Sequence, residues 1–149
     1  MPKVVSTASE LEKSWRNHKR ACQGPLPSHR LLLYYAVEIG LKTLIAKNEN
    51  LLNTDEVLGF VENHPLGQSS GSPSLGHRLD VLCECAKLDG AEKGPVPAAT
   101  FTVRENVHGS HQMHEAWRYG ALVEPSDYPN QMQAWLLHLI AVIKEKLSQ

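Results

Sequence analysis

The stretch His29–Lys47 constrains this chain more than any other part of it. It reads His-Arg-Leu-Leu-Leu-Tyr-Tyr-Ala-Val-Glu-Ile-Gly-Leu-Lys-Thr-Leu-Ile-Ala-Lys, and its apolar positions cover nearly the whole circumference of a helix. A helix without a polar face has to be surrounded, inside a bundle or at an interface between chains. Glu38 and Lys42 are the interruptions. Their i,i+4 spacing sets them side by side in the favourable order, Glu before Lys. The fold must therefore supply neighbours for every side of this one helix.

The remaining sequence offers such neighbours. Thr7-Ala-Ser-Glu10 is a capping box, and Leu11, Trp15, His18 and Cys22 follow on one helical stripe that Gly24-Pro25 stops. Ser28 is the expected cap of the long helix. Asn53-Thr-Asp-Glu56 opens a short helix, and Pro65–Ser74, rich in Gly and Ser, predicts a loop. A further helix is expected over Leu75–Lys87, with Leu75, Leu79, Leu82, Cys83 and Ala86 inward. Asp89–Pro97 reads as a second loop.

Between Ala98 and Leu122 the signals conflict. Phe101-Thr-Val103 has strand propensity in surroundings that favour helix, and Gly109-Ser110 is suited to break one helix and cap the next. Beyond Pro125–Pro129 the last helix is plain, with Met132, Trp135, Leu136, Leu139, Ile140, Val142, Ile143 and Leu147 on a wide stripe. Lys144 and Lys146 suit its C-terminal dipole. No alternating strand set and no repeat is visible. The expectation is an all-α, up-and-down bundle of five or six helices, a single domain over residues 1–149.

Composition removes several classes. With 42% apolar and 21% charged residues the chain is not expected to be disordered as a whole. Fifteen Lys and Arg against sixteen Asp and Glu give a net charge of −1, which excludes a polycation that holds nucleic acid by bulk charge. No run approaches the roughly 18 apolar residues of a membrane span, and the N-terminus carries no signal-peptide core. Cys22, Cys83 and Cys85 make neither a disulfide framework nor a zinc ligand set. A cytoplasmic protein with reduced thiols is expected. The near-neutral sum hides a polarised chain: residues 1–47 carry eight basic and three acidic side chains, residues 48–149 seven and thirteen. Arg16, Lys19, Arg20 and Arg30 are then the expected landing surface for an anionic ligand, or one half of a charge-matched contact between two chains.

Three stretches, in order, carry a resemblance to a known family. Tyr34-Tyr-Ala-Val-Glu38-Ile-Gly-Leu-Lys42-Thr-Leu-Ile45, Leu75-Gly-His77-Arg-Leu-Asp-Val-Leu82 and His114-Glu-Ala-Trp-Arg118-Tyr119-Gly120 resemble the long helix, the Gly-His start of the next helix and the Arg-Tyr segment of HEPN domains. The likeness spans roughly residues 25 to 145. It implies a HEPN-like helical bundle of the kind found beside nucleotidyltransferases, in toxin–antitoxin pairs and in defence proteins, acting as a homodimer. Active members are metal-independent endoribonucleases whose signature is an Arg followed after four to six residues by His, paired across the dimer. Arg stabilises charge on the phosphoryl group while His moves protons for attack by the ribose 2′-OH, with no cofactor. On this likeness Arg104 and His111, six residues apart, are the catalytic pair. Glu105 stands where members usually carry Asn, Asp or His, and no Tyr follows two residues after His111.

Other residues read two ways. His108, His111 and His114, with Glu115, would form a zinc face on a continuous helix or a solvated polar cluster on a broken one; no metal is expected. His108 and His114 are candidate binding residues. Glu38 and Lys42 are an ion pair or a ligand contact; Arg118 and Tyr119 line a nucleotide or RNA groove or anchor the loop before the last helix. His77 is either a site residue or a helix-start residue. Two functions follow: a dimeric endoribonuclease of a bacterial toxin or defence system, or a non-catalytic module that binds a nucleotide or a partner such as a nucleotidyltransferase.

Overall fold

A computed structural model of the chain describes residues 5–21, 27–66 and 78–148. Among these residues there are seven helices and a small two-stranded ribbon, so the molecule is mostly helical, as expected, with one more helix than the upper expectation. The helices are α1 (Ala8–Ala21), α2 (Pro27–Asn48), α3 (Thr54–Asn63), α4 (Leu79–Cys85), α5 (Gly90–Lys93), α6 (Met113–Tyr119) and α7 (Tyr128–Leu147). Strands β1 (Thr100–Val103) and β2 (Asn106–Gly109), then a 3-10 turn over Ser110–Gln112, lie between α5 and α6. Cys22, Gly24-Pro25, most of the expected 65–74 loop, and Leu75-Gly76-His77 fall outside the described residues. No described helix is long and apolar enough to cross a membrane.

Helix α2 is the axis of the molecule. It touches α1, α3, α4, α6 and α7, and Leu33, Tyr34, Ala36, Val37, Leu41, Leu44, Ile45 and Ala46 are all buried. Burial on all sides is what a helix without a polar face requires. Pro27 opens it, one residue before the expected cap Ser28, where the missing N–H of proline goes unneeded. Gly40 is the contact point of three helices. A Cβ there would lie 2.8 Å from Cε3 of Trp15 on α1 and 2.9 Å from Cγ2 of Ile143 on α7. The missing side chain lets both helices close on α2.

Local sequence devices set the helix ends. Thr7 Oγ1 accepts from the Glu10 N–H while Glu10 Oε1 accepts from the Thr7 N–H, the expected capping box. Asn53 Oδ1 accepts from the Glu56 N–H at 3.0 Å, capping α3. Helix α4 stops at Cys85, before the expected Lys87, which instead adopts a left-handed φ of +62°. On α7, Met132, Trp135, Leu136, Leu139 and Ile143 are buried as the stripe predicts.

Two segments depart from expectation. Asp89–Pro97, read as loop, contains the single turn α5, fixed by a capping box between Asp89 and Glu92 at 2.8 and 3.0 Å. It docks on α7, where Trp135 Nε1 donates to the Lys93 carbonyl at 2.7 Å and Lys146 pairs with Glu92 at 2.6 Å. The larger departure is Thr100–Gly109, an antiparallel ribbon where helix was favoured, with Phe101 opposite His108 and Val103 opposite Asn106. Thr102 exchanges both backbone bonds with Glu124, each 2.9 Å, so the free edge of β1 is partnered. Phe101 is the anchor: it is buried, stacks against His108 at 5.6 Å and packs at a tilt on Tyr128 at 5.2 Å.

Candidate functional site at the seam of α2 and α6

The seam forms because two neighbouring tyrosines of α2 meet the start and the end of α6. Tyr34 is buried, and its hydroxyl donates to the His111 carbonyl at 3.2 Å. Nδ1 of His114 lies 2.6 Å from the same oxygen. A carbonyl only accepts, so this nitrogen carries a proton. The His114 ring packs 5.2 Å from that of Tyr34 and 6.3 Å from that of Tyr35. One turn further along α6, the exposed Arg118 guanidinium donates to the Tyr35 hydroxyl. Next to it Tyr119 is 76% exposed, at the end of a helix that Gly120 closes with φ +67°. The stretches Tyr34–Ile45 and His114–Gly120 thus meet side by side.

Glu38 and Lys42 lie one and two turns beyond Tyr34 on α2 and form an ion pair at 3.0 Å, with the Glu38 side chain almost fully buried. The pair is thus made within the fold. Burial, then the nearby charges of Glu38 and Asp80, drives the Tyr34 hydroxyl well above its ordinary pKa, so it remains a donor. A second pair stands at the start of α4. Arg78 grips Asp80 with two bonds, 3.3 Å through Nε and 2.8 Å through Nη2.

His111 sits in the 3-10 turn, half-buried. Burial first, and then the positive charge of Arg78, lowers its pKa below the ordinary 6.5, against smaller opposing effects of Asp80 and Glu115. The imidazole is thereby kept neutral further into the acid range. Arg104 is elsewhere. Together with Glu105 it forms the turn of the hairpin, both in left-handed backbone (φ +50° and +72°), and its side chain is exposed. Arg104 and His111 therefore lie beyond opposite ends of the four-residue β2, a strand about 13 Å long at about 3.3 Å per residue. The helical register that would align them is absent because residues 100–109 pair as strands.

His108, His111 and His114 belong to three different elements: β2, the 3-10 turn and α6. Gly109 is the boundary that separates them, and Gln112 Oε1 accepts from its N–H at 3.0 Å. Among the described residues no three His, Cys, Asp or Glu side chains are arranged to hold a metal ion. His108 instead borders a cleft of about 170 Å³ between the hairpin and α6. Buried Phe101 and Ala116 and half-buried Val103 are among its lining residues, with half-buried His108 and Gln112 and exposed Glu115 and Tyr119.

The expected basic landing surface is partly committed to structure. Arg30 donates to Gln133 at 2.7 Å and to Asn130 at 2.9 Å, tying α2 to α7, and Arg16 pairs with Glu12 at 3.1 Å. Lys19 lies 5.8 Å above the Trp15 ring. The side chain of Arg20 lies outside the described residues.

Sequence reading missed two parts of the seam. Tyr34 and Tyr35 open one of the stretches singled out in the sequence, but nothing local says which tyrosine meets a carbonyl and which a guanidinium. The i,i+2 spacing of Arg78 and Asp80 gives no signal either, because it depends on Arg78 preceding the helix rather than lying in it. Comparison of the chain with protein-family models, with curated proteins and with solved structures finds no match.

Proposed function

We propose that this chain is a HEPN-like module that binds single-stranded RNA or a nucleotide at the seam of α2 and α6, as a homodimer, and does not hydrolyse it with Arg104 and His111 of one chain. One observation carries the choice: the two residues lie beyond opposite ends of β2, with Arg104 in an exposed turn. Support for an RNA or nucleotide ligand comes from Arg118 and Tyr119, an exposed cation beside an exposed ring. A guanidinium takes phosphate oxygens in a fork, and an open tyrosine face stacks on a base. Glu105, an anion next to Arg104, is a poor neighbour for a phosphate in the act of cleavage.

Fluorescence anisotropy with a labelled single-stranded RNA tests the reading. Wild type should bind with an affinity that falls as salt rises. Arg118→Ala should weaken binding several-fold and reduce the magnitude of the logarithmic salt slope by about 0.7, one phosphate contact on a single strand. An unchanged slope defeats the assignment.

The second reading, a metal-independent endoribonuclease whose site is completed by the other copy of the chain, is favoured by His111. Its imidazole stays neutral near pH 7, the form a general base needs. RNA cleavage in EDTA that disappears in both Arg104→Ala and His111→Ala would establish this reading and overturn the first. The bacterial toxin or defence setting, and a nucleotidyltransferase-type partner, follow from the family resemblance and belong to either reading.

A further inference from the structure

The cleft between the hairpin and α6 is separate from the seam contacts of Tyr34, Tyr35 and Arg118, and its chemistry differs from theirs. Its volume of about 170 Å³ is below the roughly 300 Å³ at which drug-sized ligands begin, so it holds one ring system and not a whole nucleotide. The lining is mostly apolar: Phe101, itself buried, is stacked on His108 with an angle of 29° between the rings and packs on Tyr128 as well, which leaves the rings of His108 and Tyr119 to meet a ligand. Tyr119 stands open at the mouth. The one charged side chain among the described lining residues is Glu115.

Glu115 restricts what can enter, beside the Gln112 amide, whose Oε1 already accepts from the Gly109 N–H. A carboxylate accepts hydrogen bonds and donates none, and it repels phosphate. A ligand matched to Glu115 therefore carries donors, preferably two in parallel for the two carboxylate oxygens, and the ring of Tyr119, open to solvent, favours one that is flat and aromatic. Among the nucleobases, the Watson–Crick edge of guanine presents two such donors side by side, the ring N–H and the exocyclic amine. Adenine and cytosine offer one exocyclic amine beside an acceptor, and uracil offers a single ring N–H between two carbonyls. We propose that this cleft takes one unpaired guanine, stacked against the aromatic side chains and held through its Watson–Crick edge by Glu115. The phosphates on either side would run outward to Arg118, which neighbours Tyr119 on α6. This proposal rests on the RNA-or-nucleotide reading above and gives it a base preference.

The test uses the full chain and labelled octanucleotides, U8 and the same strand with G, A, C or inosine at one central position. The G-containing strand should bind about tenfold more tightly than U8, within the range that one well-formed bidentate contact supplies. Inosine, which lacks the exocyclic amine, should lose most of that gain. Glu115→Gln should erase the preference for G while leaving U8 binding in place, and a circular dichroism melt shows whether the variant remains folded. Val107→Glu, on a strand position that does not line the cleft, is a control that should keep the preference. Equal binding of all strands overturns the guanine assignment and leaves the RNA reading standing. No binding of any strand overturns both. Displacement of the strand by arginine amide in place of guanosine monophosphate also overturns it, since the same rim would then be a cage for a cation.

Discussion

Helix α2 and the hairpin of β1 and β2 are built on opposite principles. In α2, nearly every side chain agrees with its surroundings: apolar residues fill all sides, and neighbours close on all of them. The hairpin is held by one buried anchor, Phe101, and turns on two residues in backbone that side chains disfavour. Arg104 and Glu105 both have positive φ, the conformation of a two-residue turn that usually carries Asn-Gly. The core helix is thus where the sequence is consistent with its structure at every level, and the hairpin is where it is not. His108, His111 and the 170 Å³ cleft all belong to this second region or border it, while Arg118 and Tyr119 stand on α6 beside it.

Damage to α2 should be the most costly. Leu41 is fully buried in the middle of the helix, and Leu41→Ala is expected to destabilise by about 3–4 kcal/mol, the lost transfer energy plus the cavity left behind. Chemical denaturation followed by circular dichroism reads this directly. A loss under about 1 kcal/mol would mean that α2 is not the axis of one cooperative core.

Gly40 sharpens the same point with a reversed sign. On a free helix Gly→Ala gains about 1 kcal/mol. Here the added methyl would press on Trp15 and Ile143 at under 3 Å. Overpacking of this kind costs about 1–3 kcal/mol, so Gly40→Ala is expected to destabilise by roughly 1–2 kcal/mol. A stabilised variant would show that α1 and α7 do not close on α2 at this point.

The hairpin should respond in the opposite direction. Replacing Arg104-Glu105 by Asn-Gly removes two disfavoured left-handed residues, each worth roughly 1 kcal/mol of strain. The double variant is expected to gain about 1 kcal/mol, part of the relief being offset by the greater freedom of glycine in the unfolded chain. A melting temperature lower than that of the wild type would mean that the two side chains hold the turn through contacts of their own.

What could be read in the sequence follows this division. The pattern of α2 is local: nineteen consecutive residues, His29–Lys47, predict burial before any partner is known. The capping boxes at Thr7 and at Asp89 are equally local, although only the first was recognised as a helix start. Phe101-Thr-Val103 could not be assigned in the same way. Four-residue strands carry too few positions for a period to show, and β1 is stabilised by Glu124, which lies 22 residues from Thr102. The usual signal for such a turn, Asn-Gly or Asp-Gly, is replaced by Arg-Glu. The same gap affected the site. Arg104 and His111 satisfied a spacing that has meaning on a helix, and strand pairing carries them beyond opposite ends of β2. Arg118 and Tyr119 lie on a helical stretch, Met113–Tyr119, that is legible locally.

The smallest expected effect concerns His111, where the two regions meet. Its folded pKa lies below the ordinary 6.5, chiefly through burial and then through Arg78, with His114 adding to the depression and Asp80 and Glu115 opposing it. As pH falls below about 6.5, the unfolded chain takes up a proton that folded His111 still refuses, so the unfolded state binds more protons and stability declines. The full contribution is present above 6.5 and is lost as pH falls toward the folded value; below that value both states are protonated and the decline ends. His111→Asn should therefore flatten the stability profile on the acid side of 6.5 and change little above it. Asp80→Asn removes a charge that favours the imidazolium and frees Arg78 from its fork, so it should lower the His111 titration midpoint in an NMR pH series. Arg78→Gln should raise it. If both variants leave the midpoint unmoved, the charges at the start of α4 do not reach the 3-10 turn, and burial alone keeps His111 neutral.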